Sequence, residues 1–259
     1  MGKLLLTGVD GNLGQLAADV LLTLEPVENL IFCGYSEESL KKYAEKGIET
    51  HVTNFNNPDG LAEAFKGADA LALISMPFVG AKRQNAHKNA VDAAKAAGVK
   101  QIIYTSVLSA AHPFNPSIEN VDHSYTEAII QNTSLDYIFL RNSLFVEAFT
   151  SDYLRAVEAK ETTISKNMGD GRVWFISRKD CAYAAACALN NHLLHRAVLN
   201  INGLEPLSYE DFLAIGNKAT GNHITYTRLT DDELYAYFDS IGVPRNCLLY
   251  TSPSPRDPK

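Results

Sequence analysis

The chain has 259 residues, 46% hydrophobic and 20% charged, with a formal net charge of -7. That length carries one large domain or two small ones with a full core, and the composition excludes disorder over most of it. The acidic balance excludes a nucleic-acid partner, and no run approaches the ~20 apolar residues of a membrane span.

In chain order, "KLLLT" (3–7) reads as a strand and 12–24 as a helix. "NLIFCG" (29–34) is a strand, and "EESLKKYAEKG" a helix closed by Gly47. "ETHVTNF" (49–55) is a strand and 59–65 a helix. "ALALIS" (70–75) is a strand and 82–97 a helix ended by Gly98. "KQIIYTS" (100–106) is a strand; after a loop with Pro113 and Pro116 come a helix over 120–132 and the strand "LDYIFL" (135–140). Repeated strand–helix units with near-continuous apolar strands predict a parallel sheet covered on both faces, an α/β fold of the doubly wound, Rossmann-like kind.

After about residue 145 the rhythm loosens. "GDGRVWFISRKD" (169–180) reads as a turn and strand, with Asp180 capping the helix "CAYAAACAL". "AVLNING" (197–203) is a strand; 208–221, opened by Ser208, and 231–242 are helices. Trp174 and the Tyr235/Tyr237/Phe238 cluster are expected in the core of a small lobe. The expected organisation is a core over 1–145, a smaller lobe interleaved with it over 146–246, and a tail over 247–259.

Four cysteines, Cys33, Cys181, Cys187 and Cys247, form no CxxC and no disulfide pattern. With no signal peptide read at the N-terminus, a reduced, cytoplasmic protein is expected. His192 and His195 lie three apart at a helix end, too few ligands for a metal, and none is expected.

"LTGVDGNLGQL" (6–16) carries the chemistry. Gly8, Gly11 and Gly14 form GxxGxxG between the first strand and the first helix. Gly8 permits a tight turn, Gly11 lets backbone come close to a pyrophosphate, and Gly14 lets helix pack on sheet. Amides at a helix start, with the helix dipole, favour such an anion. Asp10 cuts the other way: its carboxylate either competes for those amides or points outward. At the end of the second strand, where an acid holds a ribose hydroxyl and an Arg a 2′-phosphate, the chain reads "CGYSEES". Tyr35 can stack on adenine and Ser36 can hydrogen-bond. Glu37 and Glu38 would repel a 2′-phosphate that they faced, with Lys41 and Lys42 offsetting them in part. NAD and NADP both stay open.

"TGVDGNLG", "AAKAAGVKQIIYTS", "HSYTE", "LRNSLF", "RKDCAYAAA" and "ITYTRLTDDELYAYFDSIGVP" resemble, in order and spacing, the NmrA-like atypical short-chain dehydrogenases/reductases. The resemblance covers about 1–245 and leans towards the branch of flavin-independent NAD(P)H:quinone oxidoreductases and triphenylmethane reductases. It implies a Rossmann core with a small C-terminal lobe, direct hydride transfer from nicotinamide, and a slight preference for NADP. By position, Gly8, Val9, Asp10, Gly11, Asn12 and Leu13 would hold the pyrophosphate. Gly34, Tyr35 and Ser36 would flank the adenosine ribose, with Asn54 and Phe55 bordering the adenine. Ser75, Met76 and Pro77 would line the cofactor, Thr105 would lie beside the nicotinamide ribose, and Leu140, Arg141, Asn142, Ser143 and Leu144 would pass close to the ring.

The chain departs from the pattern in three places. No tyrosine has a lysine four residues on, so the YxxxK pair of ordinary members is missing. "HxxTEK" becomes His123-Ser-Tyr-Thr126-Glu127-Ala128, without its lysine, and "LRNG" ends in Ser143. These losses weigh against carbonyl–alcohol chemistry. A quinone tolerates them, being electron-poor and protonated by water once reduced. Phe78, His112 and Phe145 are candidates for the substrate pocket, and His123 for a proton donor.

Two functions are read, and a third, an isomerase or epimerase of nucleotide sugars, is disfavoured by the missing YxxxK. One is an enzyme reducing a quinone or similar small-molecule acceptor with NAD(P)H; the other is a non-catalytic NAD(P)-binding redox sensor that regulates a protein partner. A homodimer is left open. The tail "CLLYTSPSPRD" (247–257) matches, residue for residue, a translated reading frame of a transposase-based sequencing adapter. It is expected to be non-native, on a gene cut short near Asn246.

Overall fold

The computed structural model describes residues 2–110, 112 and 117–240, so the tail lies outside the described residues. The elements are β1 (Lys3–Leu6), α1 (Asn12–Leu24), β2 (Leu30–Gly34), α2 (Glu37–Ala44), β3 (Glu49–Val52), α3 (Leu61–Ala64), β4 (Ala68–Leu73), α4 (Ala81–Ala97), β5 (Gln101–Val107), α5 (Ile118–Gln131) and β6 (Asp136–Asn142). Then come α6 (Val146–Glu158), β7 (Thr163–Lys166), α7 (Arg178–Leu189), β8 (Ala197–Ile201), α8 (Tyr209–Thr220), β9 (Thr225–Arg228) and α9 (Asp231–Ser240).

Seven strands form one sheet in the order β3-β2-β1-β4-β5-β6-β8, every pairing parallel. This is the doubly wound α/β architecture. The chain winds outward from β1 to β3, returns to β4 on the other side of β1, and winds outward again. The reversal between β1 and β4 is the point where folds of this kind take their ligands, above the carboxyl ends of the strands.

The sheet is apolar because it is covered on both faces. Leu5, Ile31, Leu71, Ile102 and Phe139 are fully buried in one core cluster with Phe65, Ala90 and Tyr104. Cys33 is there too, a small buried hydrophobe whose thiol pKa burial and the nearby Glu49 raise. Elsewhere α1 packs on α7, and the residues they bury are small: Gly14, Ala17 and Ala18 against a run of buried alanines including Ala182, Ala185 and Ala186. The sheet, its helices, α7 and β8 make one compact unit. So "AVLNING" supplies the seventh strand of the main sheet, beside β6, not a strand of a small lobe.

The second compact unit takes in Ser143–Ser177 and the chain from Asn202 onward. It has a two-stranded parallel sheet, β7 with β9. Its core is aromatic: Phe149 meets Phe175 at 4.8 Å between ring centres, and Tyr209 meets Tyr226 at 5.0 Å. The expected strand across 169–180 is two isolated bridges, at Val173 and Ile176. Asp180 is the third residue of α7, which begins at Arg178, and not the residue before its first turn. Trp174 and Tyr237 are exposed rather than core; nothing is described for the side chain of Phe238. No described helix is long and apolar enough to cross a membrane.

Candidate dinucleotide site

The first part of the site is the turn from β1 into α1. Gly8 has φ +65°, a left-handed conformation that only glycine adopts freely. A Cβ on Gly14 would lie 1.9 Å from the Gly8 carbonyl oxygen, so no side chain fits there. Gly11 is different. Its φ of -87° and ψ of 163° suit any residue, and a Cβ would meet only the Gly8 oxygen, at 3.4 Å. The fold requires glycine at 8 and 14 and does not require it at 11; close approach by a ligand would.

Gly11 is the N-cap of α1. No side chain caps this helix, and its first turn holds no acid. Two other helix starts are closed by side chains. Ser36 caps α2, accepting a hydrogen bond from the Ser39 amide, with Glu37 and Glu38 in the first turn. Ser208 and Asp211 form a full capping box on α8. An uncapped start leaves backbone N–H groups and the positive end of the dipole for an anion.

Asp10 does not plug this place. Its Oδ2 accepts a hydrogen bond from the Tyr35 amide at 2.8 Å, at the end of β2, while its carbonyl accepts from Gln15 Nε2. Val9 is fully buried and Leu13 nearly so, holding the turn to the core; Asn12 is exposed. Gly34 closes β2, and Tyr35 is 68% exposed, a free aromatic face at the expected adenine side. Asn54 is exposed and its Oδ1 accepts from the Asn56 amide. Phe55, expected beside the adenine, has its ring in the core instead, edge-on to Phe65 at 6.2 Å. The sequence hides this because the apolar pattern of β3 runs on past its end.

The second part is the segment after β4. Thr7 ties the two strands, donating to the Ala72 carbonyl and accepting from the Ile74 amide. Thr105 Oγ1 accepts from the Ser75 amide at 2.8 Å, so this threonine holds the segment from β5. Both backbone polar groups of Met76 are tied by α4: its amide donates to His87 Nε2 at 3.0 Å, and its carbonyl accepts from Arg83 Nε at 3.1 Å. Pro77 is exposed, and Phe78 packs on the core edge with Lys82 Nζ 4.1 Å from its ring centre.

Behind this segment lies a buried polar network. Because His87 Nε2 accepts, its Nδ1 carries the proton and donates to Thr126 Oγ1 at 2.8 Å. Thr126 in turn donates to the Asp122 carbonyl. His87 is thus neutral, its pKa held well below the ordinary value by burial and by the charges of His123 and Arg83. Arg83, 2% exposed, reaches Glu119 at 2.5 Å and Asp122 at 3.7 Å. Asp122 also accepts from the Gly80 amide and from Gln84. Burial alone would raise the Glu119 pKa, but hydrogen bonds from His123 and Arg83 bring it down to about 2.

His123 belongs to this network and not to an open pocket, a correction to its reading as a proton donor. It is 4% exposed. Its Nδ1 is hydrogen-bonded to the Tyr104 hydroxyl at 2.6 Å, and its Nε2 faces Glu119 at 3.5 Å. Burial, with the charge of Arg83, lowers its pKa. Tyr104 is fully buried and its pKa is raised, chiefly by that burial, so it keeps its proton.

On β6, Leu140 and Asn142 are buried. Arg141 makes a bidentate pair with Glu127, which also accepts from Ser106 at 2.6 Å. The Asn142 Oδ1 is buried with no hydrogen-bond partner. Ser143, Leu144 and Phe145 open the second unit, where Leu144 is exposed and Phe145 is the N-cap of α6. His112 is exposed in the first unit, its carbonyl accepting from Asn120.

Sequence reasoning missed Arg83, His87, Tyr104, Asp122 and Glu127. The available signal was polar residues three and four apart on α4 and α5, helices flanked by apolar strands: Arg83/His87 and Glu119/Asp122/His123/Thr126.

The bare amides at α1, the left-handed turn and the switch-point position define a nucleotide-binding α/β fold, and the residues fit a dinucleotide there. The chain belongs to the NAD(P)H-binding family, which it matches over residues 8–192, as one of its NmrA-like members. Among curated proteins it is 28% identical to quinone oxidoreductase 2 of Escherichia coli over 240 residues, 92% of this chain and 82% of that protein. It is 25% identical to an NmrA-like family domain-containing oxidoreductase of Aspergillus flavus over 242 residues, 89% of this chain and 76% of that protein. Among solved structures, Citrobacter sp. triphenylmethane reductase with NADP(H) superposes with a TM-score of 0.86 at 29% identity, covering 96% of this chain and 87% of that one. The NADPH-dependent quinone oxidoreductase of Escherichia coli with NADPH gives 0.86 at 28% identity, covering 95% and 84%.

Proposed function

We propose that this NAD(P)H-binding oxidoreductase passes a hydride directly to a quinone or similar conjugated small molecule, without a flavin. The observation that carries the reading is the uncapped start of α1 behind a glycine that the fold itself does not need. When bound, the nicotinamide supplies the hydride. The chain supplies position: amides of the β1–α1 turn for the diphosphate, and a β4–α4 segment locked by Thr105, His87 and Arg83.

The nature of the acceptor follows from what the tyrosines do. Alcohol–carbonyl chemistry in this superfamily uses a tyrosine whose pKa a lysine lowers. Here the tyrosine nearest the β4 and β5 ends, Tyr104, is buried with its pKa raised and its hydroxyl spent on His123. A quinone needs no such group, because water protonates its reduced oxygens. The names of the similar proteins, a quinone oxidoreductase and a triphenylmethane reductase, support an electron-poor acceptor.

The test is dinucleotide oxidation, followed by absorbance, across a panel of quinones and triphenylmethane dyes. Steady turnover that does not change when added flavin is withheld is the expected result. Tight dinucleotide binding with no turnover on any acceptor would instead favour a redox sensor with a protein partner.

A further inference from the structure

We infer that Asp10 makes this chain selective for NADH over NADPH, by occupying from the β1 loop the place that an acid at the end of β2 usually fills. The inference rests on the dinucleotide reading of the site. In doubly wound folds the adenosine ribose lies over the ends of β1 and β2. There an acid accepts from the ribose 2′-hydroxyl, or an arginine pairs with the 2′-phosphate. The end of β2 here, Gly34-Tyr35-Ser36, carries neither. The Asp10 carboxylate nevertheless stands at that position, because its Oδ2 accepts the Tyr35 amide at 2.8 Å. One oxygen anchors the group; the other is an acceptor suited to a sugar hydroxyl.

Charge from the end of β1 to the start of α2 has one sign. From Leu4 to Leu40 the chain has no Lys, Arg or His, and it carries Asp10, Asp19, Glu25, Glu28, Glu37 and Glu38. Glu37 and Glu38 are exposed in the first turn of α2. Of the first cations beyond, Lys41 lies 3.9 Å from Glu45, one turn further along α2, and lines the same surface as Glu37 and Glu38, and Lys42 Nζ lies 4.8 Å from the centre of the Tyr43 ring. A 2′-phosphate would therefore face Asp10, Glu37 and Glu38, offset only in part by Lys41 and His51 of the same surface. A 2′-hydroxyl would meet an acceptor.

Equilibrium binding of NADH and NADPH to the whole chain, by calorimetry at low ionic strength, tests this. The native chain is expected to bind NADH about tenfold or more tightly than NADPH, with the gap narrowing as salt screens the repulsion. Asp10→Asn keeps an oxygen for the Tyr35 amide and removes the charge, and should shrink the ratio several-fold. Asp19→Asn, the same change in net charge at an exposed position of α1, should leave it unchanged. Adenosine 2′,5′-bisphosphate and 5′-AMP, used as competitors, should show the same order without any nicotinamide. Equal or tighter NADPH binding by the native chain overturns the inference, as does an equal shift from Asp19→Asn. Failure to bind either dinucleotide would overturn the dinucleotide reading itself.

Discussion

The ends of β1 and β4 are neighbours on one sheet edge, yet they are built by opposite means. After β1 the chain offers a left-handed glycine, a helix start with no side-chain cap, and one carboxylate turned aside to Tyr35. After β4 the amides of Ile74, Ser75 and Met76 are tied by side chains, with Met76 held at both polar groups and a network of buried charges behind it. A surface that grips an anion must leave its donors unspent. A surface that holds a ring in register must not move, so its donors are spent on fixing it.

The difference also governs what could be read beforehand. Glycines at fixed spacing between a strand and a helix announce themselves, because few other residues tolerate φ near +65° or leave room for a carbonyl where Gly14 packs. The parallel sheet was legible for a similar reason, since strands buried on both faces are continuous apolar runs. The β4 side was not legible. Arg83 and His87 look like residues of a solvated helix, and only the packing of α4 against α5 shows that they are buried. Phe55 misled because apolar character alone does not tell a core ring from a stacking platform. The second unit was least legible: β7 and β9 are four residues each, and α6 has a mixed pattern.

The sharpest way to break the comparison is Gly14→Ala. If the glycine turn is as tight as 1.9 Å implies, the methyl group must push helix from strand, costing about 4 kcal/mol or more of stability by chemical denaturation. A variant as stable as the native chain would show that the turn has slack. On the β4 side the counterpart is Arg83→Met. It leaves Glu119 and Asp122 buried without their guanidinium and should cost about 3 kcal/mol in the same measurement. A neutral result would mean that those charges are not confined as described.

Gly11→Ala separates binding from folding. The methyl fits the backbone angles and touches only the Gly8 oxygen at 3.4 Å, so the melting temperature should hold within a degree or two. Dinucleotide affinity should fall about a hundredfold, because the methyl stands where the diphosphate must approach. Affinity retained alongside native stability would remove the turn from the site and leave the glycine without a reason.

The smallest effect concerns acid. The Glu119 carboxyl titrates at about 2 against an ordinary 4.5, held there by His123 and Arg83 despite the burial that opposes it. The folded chain therefore takes up this proton less readily than the unfolded chain. The resulting stability is fully present above about pH 4.5 and is lost as pH falls towards about 2. Its size is about 2 kcal/mol, since the side chain keeps some contact with water. Other carboxylates with lowered pKa values, among them Asp69 and Asp136, contribute over the same range. The informative quantity is therefore the difference between native chain and Glu119→Gln in denaturation midpoints across that window. The variant should be less stable near neutrality, and the gap should close as pH falls. A gap that stays constant with pH would mean that Glu119 acts through packing alone, and that Arg83 is held chiefly by Asp122.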